Sequence, residues 1–430
     1  MGSGKMKAVV LAAGEGVRLQ PVTLTRPKHL IKVGGKPILE HCLRALKSCG
    51  IDEIVLIVHY MADAVRDYFG DGHSLRLKVE YVEQKEVLGT GNAVGIAEPF
   101  VGDDFLLVYG DLLFAMEAVK KVVGLHEKEK PVATMAVVPV ENPEGYGIVE
   151  VDDEGNVKRI VEKPSREEAV SNLANAGMYV FSKEIFDKVR ETSASVRGEW
   201  EVTDAISLLL REGKRVLAVE VLREDWFDVG RPWDLLEANR WVLLRMDHKV
   251  CGIVEDGAYL VGAVTVAESA RVRSGAYVEG PAFIGEKSDV GPNCFVRAFT
   301  SIGEGVRVGN GCEVKNCLVM DGVHVGHLSY IGDSVIGEGC NLGAGTVTAN
   351  LRLDDGRVKM LVKDAVVDSG RRKLGVVLGD GVKTGINALF MPGVKVGCNS
   401  WIGPNVIVSR DVAANRLVVL KQNLEEKELS

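Results

Sequence analysis

Apolar spacing divides this chain into two stretches with different periods. Up to about residue 230, apolar runs of strand length alternate with stripes of helical period. Residues 8–13 and 54–58 read as buried strands, and strand-like runs recur at 78–82, 105–109, 132–138 and 216–221. After Pro37, positions 38, 39, 42, 43, 46 and 49 are apolar and describe one face of a helix that stops at Gly50. Such alternation predicts an α/β domain on a mostly parallel sheet, spanning 6–230. Positions 235, 238, 242 and 246 then mark the apolar stripe of a linking helix over 231–250.

From Leu260 the period becomes six. Leu260, Val266, Val272, Val278, Ile284, Val290, Val296, Ile302, Val308 and Val314 fall in one register, and Gly follows at 285, 291, 303 and 309. The register steps by five to Val319, resumes through Val325 and Ile331, and steps by five again to Ile336 and Leu342. A second run covers Leu378, Thr384, Phe390, Val396, Ile402 and Val408. Period six predicts a parallel β-helix over 251–415, each short strand turning one aliphatic inward. Residues 350–373 break the pattern, are rich in charge, and are expected as an arm or loop; 416–430 form a tail.

Composition narrows the class. A chain of 430 residues has room for two or three cores, and 52 basic against 60 acidic residues leave it mildly acidic. That balance argues against nucleic acid as a partner. The apolar runs are strand-sized, so no membrane span is expected. MGSGK at 1–5 reads as an appended stretch before a native start at Met6, with no signal peptide. The eight cysteines show no zinc spacing, and Cys42 and Cys49 sit on the apolar helix stripe. A cytoplasmic location is the expectation.

The first candidate chemistry follows the first strand. Gly14 and Gly16 would let backbone N–H groups approach an anion, and Arg18 and Lys28 add two cations. Alone, this loop is weak evidence and fits an ordinary strand-to-loop turn equally well: it has neither the third glycine of a dinucleotide fingerprint nor the end of a P-loop. The longer pattern is more specific. Leu11-Ala12-Ala13-Gly14-Glu15-Gly16, Arg18-Leu19, Pro21, Pro27-Lys28 and Gly35-Lys36-Pro37 together resemble the signature of sugar-1-phosphate nucleotidylyltransferases, with Val17 where that family often has Thr.

The resemblance implies a Rossmann-like nucleotidyltransferase domain. Leu11, Ala12, Ala13, Gly14, Gln84, Gly89 and Thr90 would bind the nucleotide; the Gln84 amide can pair with the donor and acceptor of uracil or thymine. Tyr109, Gly147, Glu162 and Asn175 would hold the sugar. Asp111, at the end of a predicted strand, and Asp228 would hold Mg²⁺, which takes oxygen ligands and few of them from protein. The implied reaction is in-line attack of a sugar 1-phosphate on the α-phosphorus of UTP or dTTP, releasing pyrophosphate. Arg18 and Lys28 would be catalytic, neutralising charge with the loop N–H groups.

A second set lies in the period-six region. Gly326-His327-Leu328-Ser329-Tyr330-Ile331-Gly332-Asp333, then Gly343-Ala344-Gly345-Thr346 and Asn350, resemble the acetyltransferase half of the bacterial bifunctional enzyme that makes UDP-N-acetylglucosamine. That family has a left-handed β-helix and forms homotrimers with sites between neighbours. It implies acetyl transfer from acetyl-CoA to a hexosamine 1-phosphate. His327 would be the base and the Ala344 N–H would hold the oxyanion, with Arg297, Lys315, Tyr330, Asn341 and Asn350 on the substrate. After Asn350 the chain departs from the bacterial pattern: Asn350-Leu351-Arg352-Leu353-Asp354 and Ser369-Gly370-Arg371-Arg372-Lys373-Leu374-Gly375 resemble the archaeal two-activity version. Ile386 stands about where the bacterial enzyme has a serine.

The leading reading is therefore a two-activity enzyme making a UDP-N-acetylhexosamine from glucosamine or galactosamine 1-phosphate. Glucose, glucosamine and galactosamine phosphates differ by few contacts, so the substrate is read as a class. Two alternatives stand beside it. In one, the β-helix only assembles or regulates a nucleotidylyltransferase; His327 with Tyr330 weighs against it. In the other, the chain is a non-catalytic regulatory subunit of a translation initiation exchange factor; Arg18, Lys28, Asp111 and Asp228 weigh against that.

Overall fold

A computed structural model describes residues 6–195 and 198–429. The appended stretch expected at 1–5 lies outside the described residues. The chain forms two compact units. One takes the residues up to Glu15, Pro27–Ile31 and Pro37–Val229; the other takes Gly16–Arg26, Lys32–Lys36 and the chain from Gly230. The two short segments beside the glycine loop thus group with the later unit.

The first unit is built on a nine-stranded sheet. Lys7–Ala12 lies at its centre, parallel to Glu53–Val58 on one side and to Asp104–Tyr109 on the other. Lys78–Glu83 continues the parallel part beyond Glu53–Val58. Because the chain switches sides at Lys7–Ala12, a crevice opens outside the carboxyl ends of Lys7–Ala12 and Asp104–Tyr109, where open α/β sheets bind ligands. Ile38–Ser48 forms the expected helix and buries Ile38, Leu39, Cys42, Leu43 and Leu46. Cys42 is a core residue, whereas Cys49 is half-buried.

Beyond Asp104–Tyr109 the sheet changes character. Leu173–Ser182 runs antiparallel to it, and Gly147–Val151 and Val157–Glu162 form a further antiparallel pair. Ala133–Pro139 pairs with Leu173–Ser182 and carries Val216–Glu220 on its other edge. The apolar pattern did not mark Leu173–Ser182 as a strand. Ala174, Asn175, Ala176 and Gly177 are poor strand formers, and the pairing is irregular between Asn175 and Tyr179. Burial of Tyr179, Val180 and Phe181 in the core holds it in place.

In the second unit the helix at the start spans Asp234–Leu243, shorter than the 231–250 stripe suggested. The rest is a parallel β-helix with three ladders. Val278 stacks on Val296 and Val296 on Val314 in one ladder, while Val272 stacks on Val290 and Val290 on Val308 in another. From Val266 to Val408 the inward residues of the period-six register are buried. Each such Val or Ile contributes roughly 1.5–3 kcal/mol of burial free energy. Thr384, the polar member, shares a hydrogen bond with Thr346 Oγ1 (2.7 Å), so its hydroxyl is satisfied inside.

The 350–373 insertion is a hairpin of Lys359–Val362 against Ala365–Asp368, closed at its base by Leu351 opposite Lys373. Val335 stacks directly on Val377, so the β-helix continues across the insertion. The ladders run on to Leu417–Val418, which pairs with Trp401–Ile402. No helix among the described residues is long and apolar enough to cross a membrane.

Candidate functional site

The crevice of the first unit holds a cavity of about 230 Å³. Leu11, Ala13, Gly14, Gln84, Gly89, Thr90, Tyr109, Lys28 and Asp111 of the expected set line it. Ala12 instead turns into the core beneath the sheet. The two strand ends are tied where Gly110 N–H donates to Leu11 O (2.8 Å), and a Cβ at Gly110 would lie 2.8 Å from that oxygen. Lys28 starts a short turn after Pro27, and its ammonium is bonded to the Asp111 carboxylate. Burial alone would raise the Asp111 carboxyl, but the adjacent Lys28 ammonium outweighs it and holds it below the ordinary carboxylate range.

Two residues without an assigned role share this wall, His29 and Glu199. His29 is buried and its Nδ1 has no hydrogen-bond partner. Burial, reinforced by the charge of Lys28 and opposed by Asp111, pushes its imidazole down to about 3, so the ring is neutral. Its only sequence signal was its place beside Lys28.

Gln84 is buried, and its Nε2 donates to Gly89 O (3.2 Å) and Asn92 Oδ1 (2.8 Å). The amide donor is thereby used inside the protein, which leaves Oε1 as the group free for a base. Gly89 has φ 110°, and a Cβ there would meet Trp200 O at 2.5 Å. Thr90 Oγ1 accepts from Val202 N–H (3.0 Å), fixing the turn that carries it.

Gly147 and Glu162 face each other across paired strands, and a Cβ on Gly147 would strike Glu162 Oε2 at 2.7 Å. Asn175 lies next to them. Its Nδ2 donates to the Tyr179 hydroxyl, which is 3.4 Å from that of Tyr109, so a polar chain runs from the cavity wall to this group. Asp228 ends the Trp226–Asp228 strand opposite Leu112, one residue on from Asp111, and Val229 N–H donates to Asp111 O (3.4 Å). Among the described residues no three His, Cys, Asp or Glu side chains gather as a metal cluster. A carboxylate pair with substrate oxygens is the donor set that suits Mg²⁺. Arg18 lies on the Val17–Leu19 turn, in the second unit, where an added Cβ on Gly230 would be 3.5 Å from its Nη1.

The β-helix gathers most of the second set. Arg297 stands one coil before Lys315, and Lys315 pairs with Gly332. Tyr330 Oη accepts from Asn350 Nδ2 (3.1 Å). Burial raises the Tyr330 phenol, opposed by that hydrogen bond. A Cβ at Gly332 would lie 2.5 Å from Tyr330 Oη and 2.8 Å from Asn350 Nδ2, so only glycine lets the two meet. His327 is exposed at the end of the His324–His327 strand, before the corner at Leu328, whose φ is 46°. Gly345 N–H, in the turn after Ala344, donates to His327 O (3.4 Å). Asn341 stands on the same ladder as the His324–His327 strand, one coil on, between His324 and Lys383. Asp333, Asn316 and Arg371, to which the motifs assigned no role, join the Lys315–Asn350 group; Arg371 stands where the arm returns to its base.

Comparison with known proteins agrees with both halves. The Nucleotidyl transferase family model matches residues 7–244, and the GMPPB C-terminal domain model matches 278–390. The chain is 44% identical to the "Bifunctional protein GlmU" of Methanocaldococcus jannaschii, over 97% of this chain and 98% of that one. It is 41% identical to the "Bifunctional sugar-1-phosphate nucleotidylyltransferase/acetyltransferase" of Sulfurisphaera tokodaii, over 95% and 98%. A solved UDP-glucose pyrophosphorylase complexed with UDP-glucose matches 56% of this chain and 99% of its own, at a TM-score of 0.51 and 26% identity.

Proposed function

Because the chain belongs to the nucleotidyl transferase family and shares its full span with two-activity archaeal relatives, we propose that it performs both nucleotidylyl transfer to a sugar 1-phosphate and acetyl transfer to an amino-sugar 1-phosphate. The single observation that carries the first activity is the Lys28–Asp111 pair in the wall of the cavity at the sheet's switch point. The nucleotide is UTP or dTTP: Gln84 Oε1 accepts from the base N3–H, while Gly89 and Thr90 form the wall against the ring. Gly147, Glu162 and Asn175 take the sugar hydroxyls. An oxygen of the sugar 1-phosphate attacks the α-phosphorus, the bond to the β-phosphate oxygen breaks, and pyrophosphate leaves. Lys28 and the N–H groups after Ala13 neutralise the charge that grows on the phosphates. Asp111 and Asp228 would hold Mg²⁺, which supplies further charge neutralisation when bound.

In the β-helix, Lys315, Tyr330 and Asn350 receive the amino-sugar phosphate, with Arg297 a coil away. His327 takes the amine proton as the nitrogen attacks the acetyl-CoA thioester, and the Ala344 N–H supports the oxyanion; the oxyanion then collapses, the C–S bond breaks, and coenzyme A leaves as the thiol with the proton returned by His327. The exposed Tyr259, Tyr277, Leu389 and Ile407 along one ladder support packing of copies as a homotrimer. A monomer by light scattering with acetyl transfer intact would refute shared sites.

A product assay tests the reading. The protein is given glucosamine 1-phosphate with acetyl-CoA, and separately several sugar 1-phosphates with UTP or dTTP. Nucleotide sugar and N-acetylated phosphate are the expected products. Nucleotide sugar alone would reduce the β-helix to a scaffold, and neither product would overturn the proposal.

A further inference from the structure

One buried carboxylate has no part in either reaction as derived above. Asp333 is 3% exposed and sits at a coil corner with φ 49°. Its Oδ2 accepts from Lys315 Nζ (3.0 Å) and Asn350 Nδ2 (2.5 Å), and its Oδ1 from Asn316 Nδ2 (2.7 Å). Arg371 Nη2 lies 4.0 Å from Oδ1, with the same guanidinium bonded to Glu237. The backbone on both sides is held as well: Asp333 N–H donates to Lys315 O (2.8 Å), and Gly375 N–H donates to Asp333 O (2.8 Å).

The partners matter more than their number. Lys315 and Asn350 belong to the proposed substrate set, and Asn350 uses the same amide nitrogen to reach Tyr330 Oη. A lysine on a four-carbon stem is a mobile point charge unless something fixes it. Here one acidic group fixes the ammonium and the amide together, while the Arg371 guanidinium near it is also bonded to Glu237. Such preorganisation of binding groups by a buried neighbour is what sharpens a site.

We propose that Asp333 is the positioning residue of the acetyl-transfer site: its carboxylate sets Lys315, Asn350 and, through Asn350, the Tyr330 hydroxyl in the arrangement that receives an amino-sugar 1-phosphate. This rests on the acetyl-transfer reading. Asp333→Asn keeps the volume but turns one acceptor oxygen into a donor facing donors.

The test uses the full chain and steady-state kinetics with glucosamine 1-phosphate and acetyl-CoA. For D333N, KM for the amino-sugar phosphate should rise at least about tenfold, with a smaller change in kcat and none in KM for acetyl-CoA. Nucleotidylyl transfer should stay at the wild-type rate. In a Lys315→Ala, Asn350→Ala background the same substitution should add less than about twofold, because its partners are already gone. Should D333N fail to fold, Asn316→Ala removes a donor that bonds Asp333 and should raise the same KM about threefold. Unchanged KM in the folded variant, or an effect that adds fully to K315A and N350A, would overturn the proposal while the acetyl-transfer reading stands. A wild-type protein that acetylates no amino-sugar phosphate would overturn both.

Discussion

Lys28 and Asp111 are bonded to each other in the wall of the first-unit cavity, an ammonium against a carboxylate with both side chains largely out of water. They come from separate elements, the turn after Pro27 and the turn that follows the Asp104–Tyr109 strand. A pair held this way keeps Asp111 ionised and Lys28 in place before any phosphate arrives.

Replacing Asp111 should therefore silence one reaction only. Asp111→Asn, which preserves shape, is expected to lower nucleotide-sugar formation by on the order of 10²–10³-fold, the scale of losing one electrostatic stabiliser. Acetyl transfer by the same preparation should be unchanged. Loss of both activities in a folded variant would contradict two separate sites.

His29 predicts a pH dependence of stability. Its folded-state value of about 3 lies below the ordinary 6.5, so the unfolded chain binds more protons between these limits. The neutral ring's contribution is fully present above pH 6.5 and is lost as pH falls from there toward about 3. The slope from this one group is at most about 1.4 kcal/mol per pH unit. Denaturant titrations of wild type and His29→Gln across that window should differ in slope, and parallel curves would refute the assignment.

Gln84 predicts base selection. Its Oε1 suits the N3–H of uracil or thymine, and a purine presents a different edge and a larger ring. UTP and dTTP should exceed ATP and GTP by at least about tenfold in kcat/KM, a difference of about 1.4 kcal/mol. A purine nucleotide used equally well would sink the assignment.

His327 predicts a change in rate rather than in affinity. His327→Ala should lower kcat for acetyl transfer by about 10²–10⁴-fold, the usual worth of a general base, with KM for acetyl-CoA little changed. Nucleotidylyl transfer should persist. His324 is also exposed on that strand but faces Asn341 on the ladder, and His324→Ala should leave acetyl transfer near wild type. Wild-type acetylation by His327→Ala would remove it as the base.

Much of the architecture was legible because its physics is local and periodic. The β-helix interior takes an aliphatic side chain at the same place in each coil, so Val278, Val296 and Val314 announce themselves at a fixed spacing. The parallel strands around Lys7–Ala12 are buried on both faces and read as continuous apolar runs. Leu173–Ser182 was not legible, since small and polar residues interrupt its pattern, and it is pairing with Asp104–Tyr109 and Ala133–Pro139 together with burial that holds it extended.

The candidate sites divide in the same way. Lys28, Asp111, His327 and Tyr330 sit in compact motifs whose spacing survives in one dimension. The grouping of Gly16–Arg26 with the β-helix does not: the Arg26 guanidinium is bonded to Glu338 and Asp380, partners more than 300 residues away. Nor does the cluster around Asp333, where residues 315, 316, 350 and 371 converge because successive coils stack and the arm returns to its own base. The sequence by itself determined what each coil buries and which motifs it carries. Which polar groups share a carboxylate was decided only when the coils were laid on one another, because a hydrogen bond depends on distance in space and not along the chain.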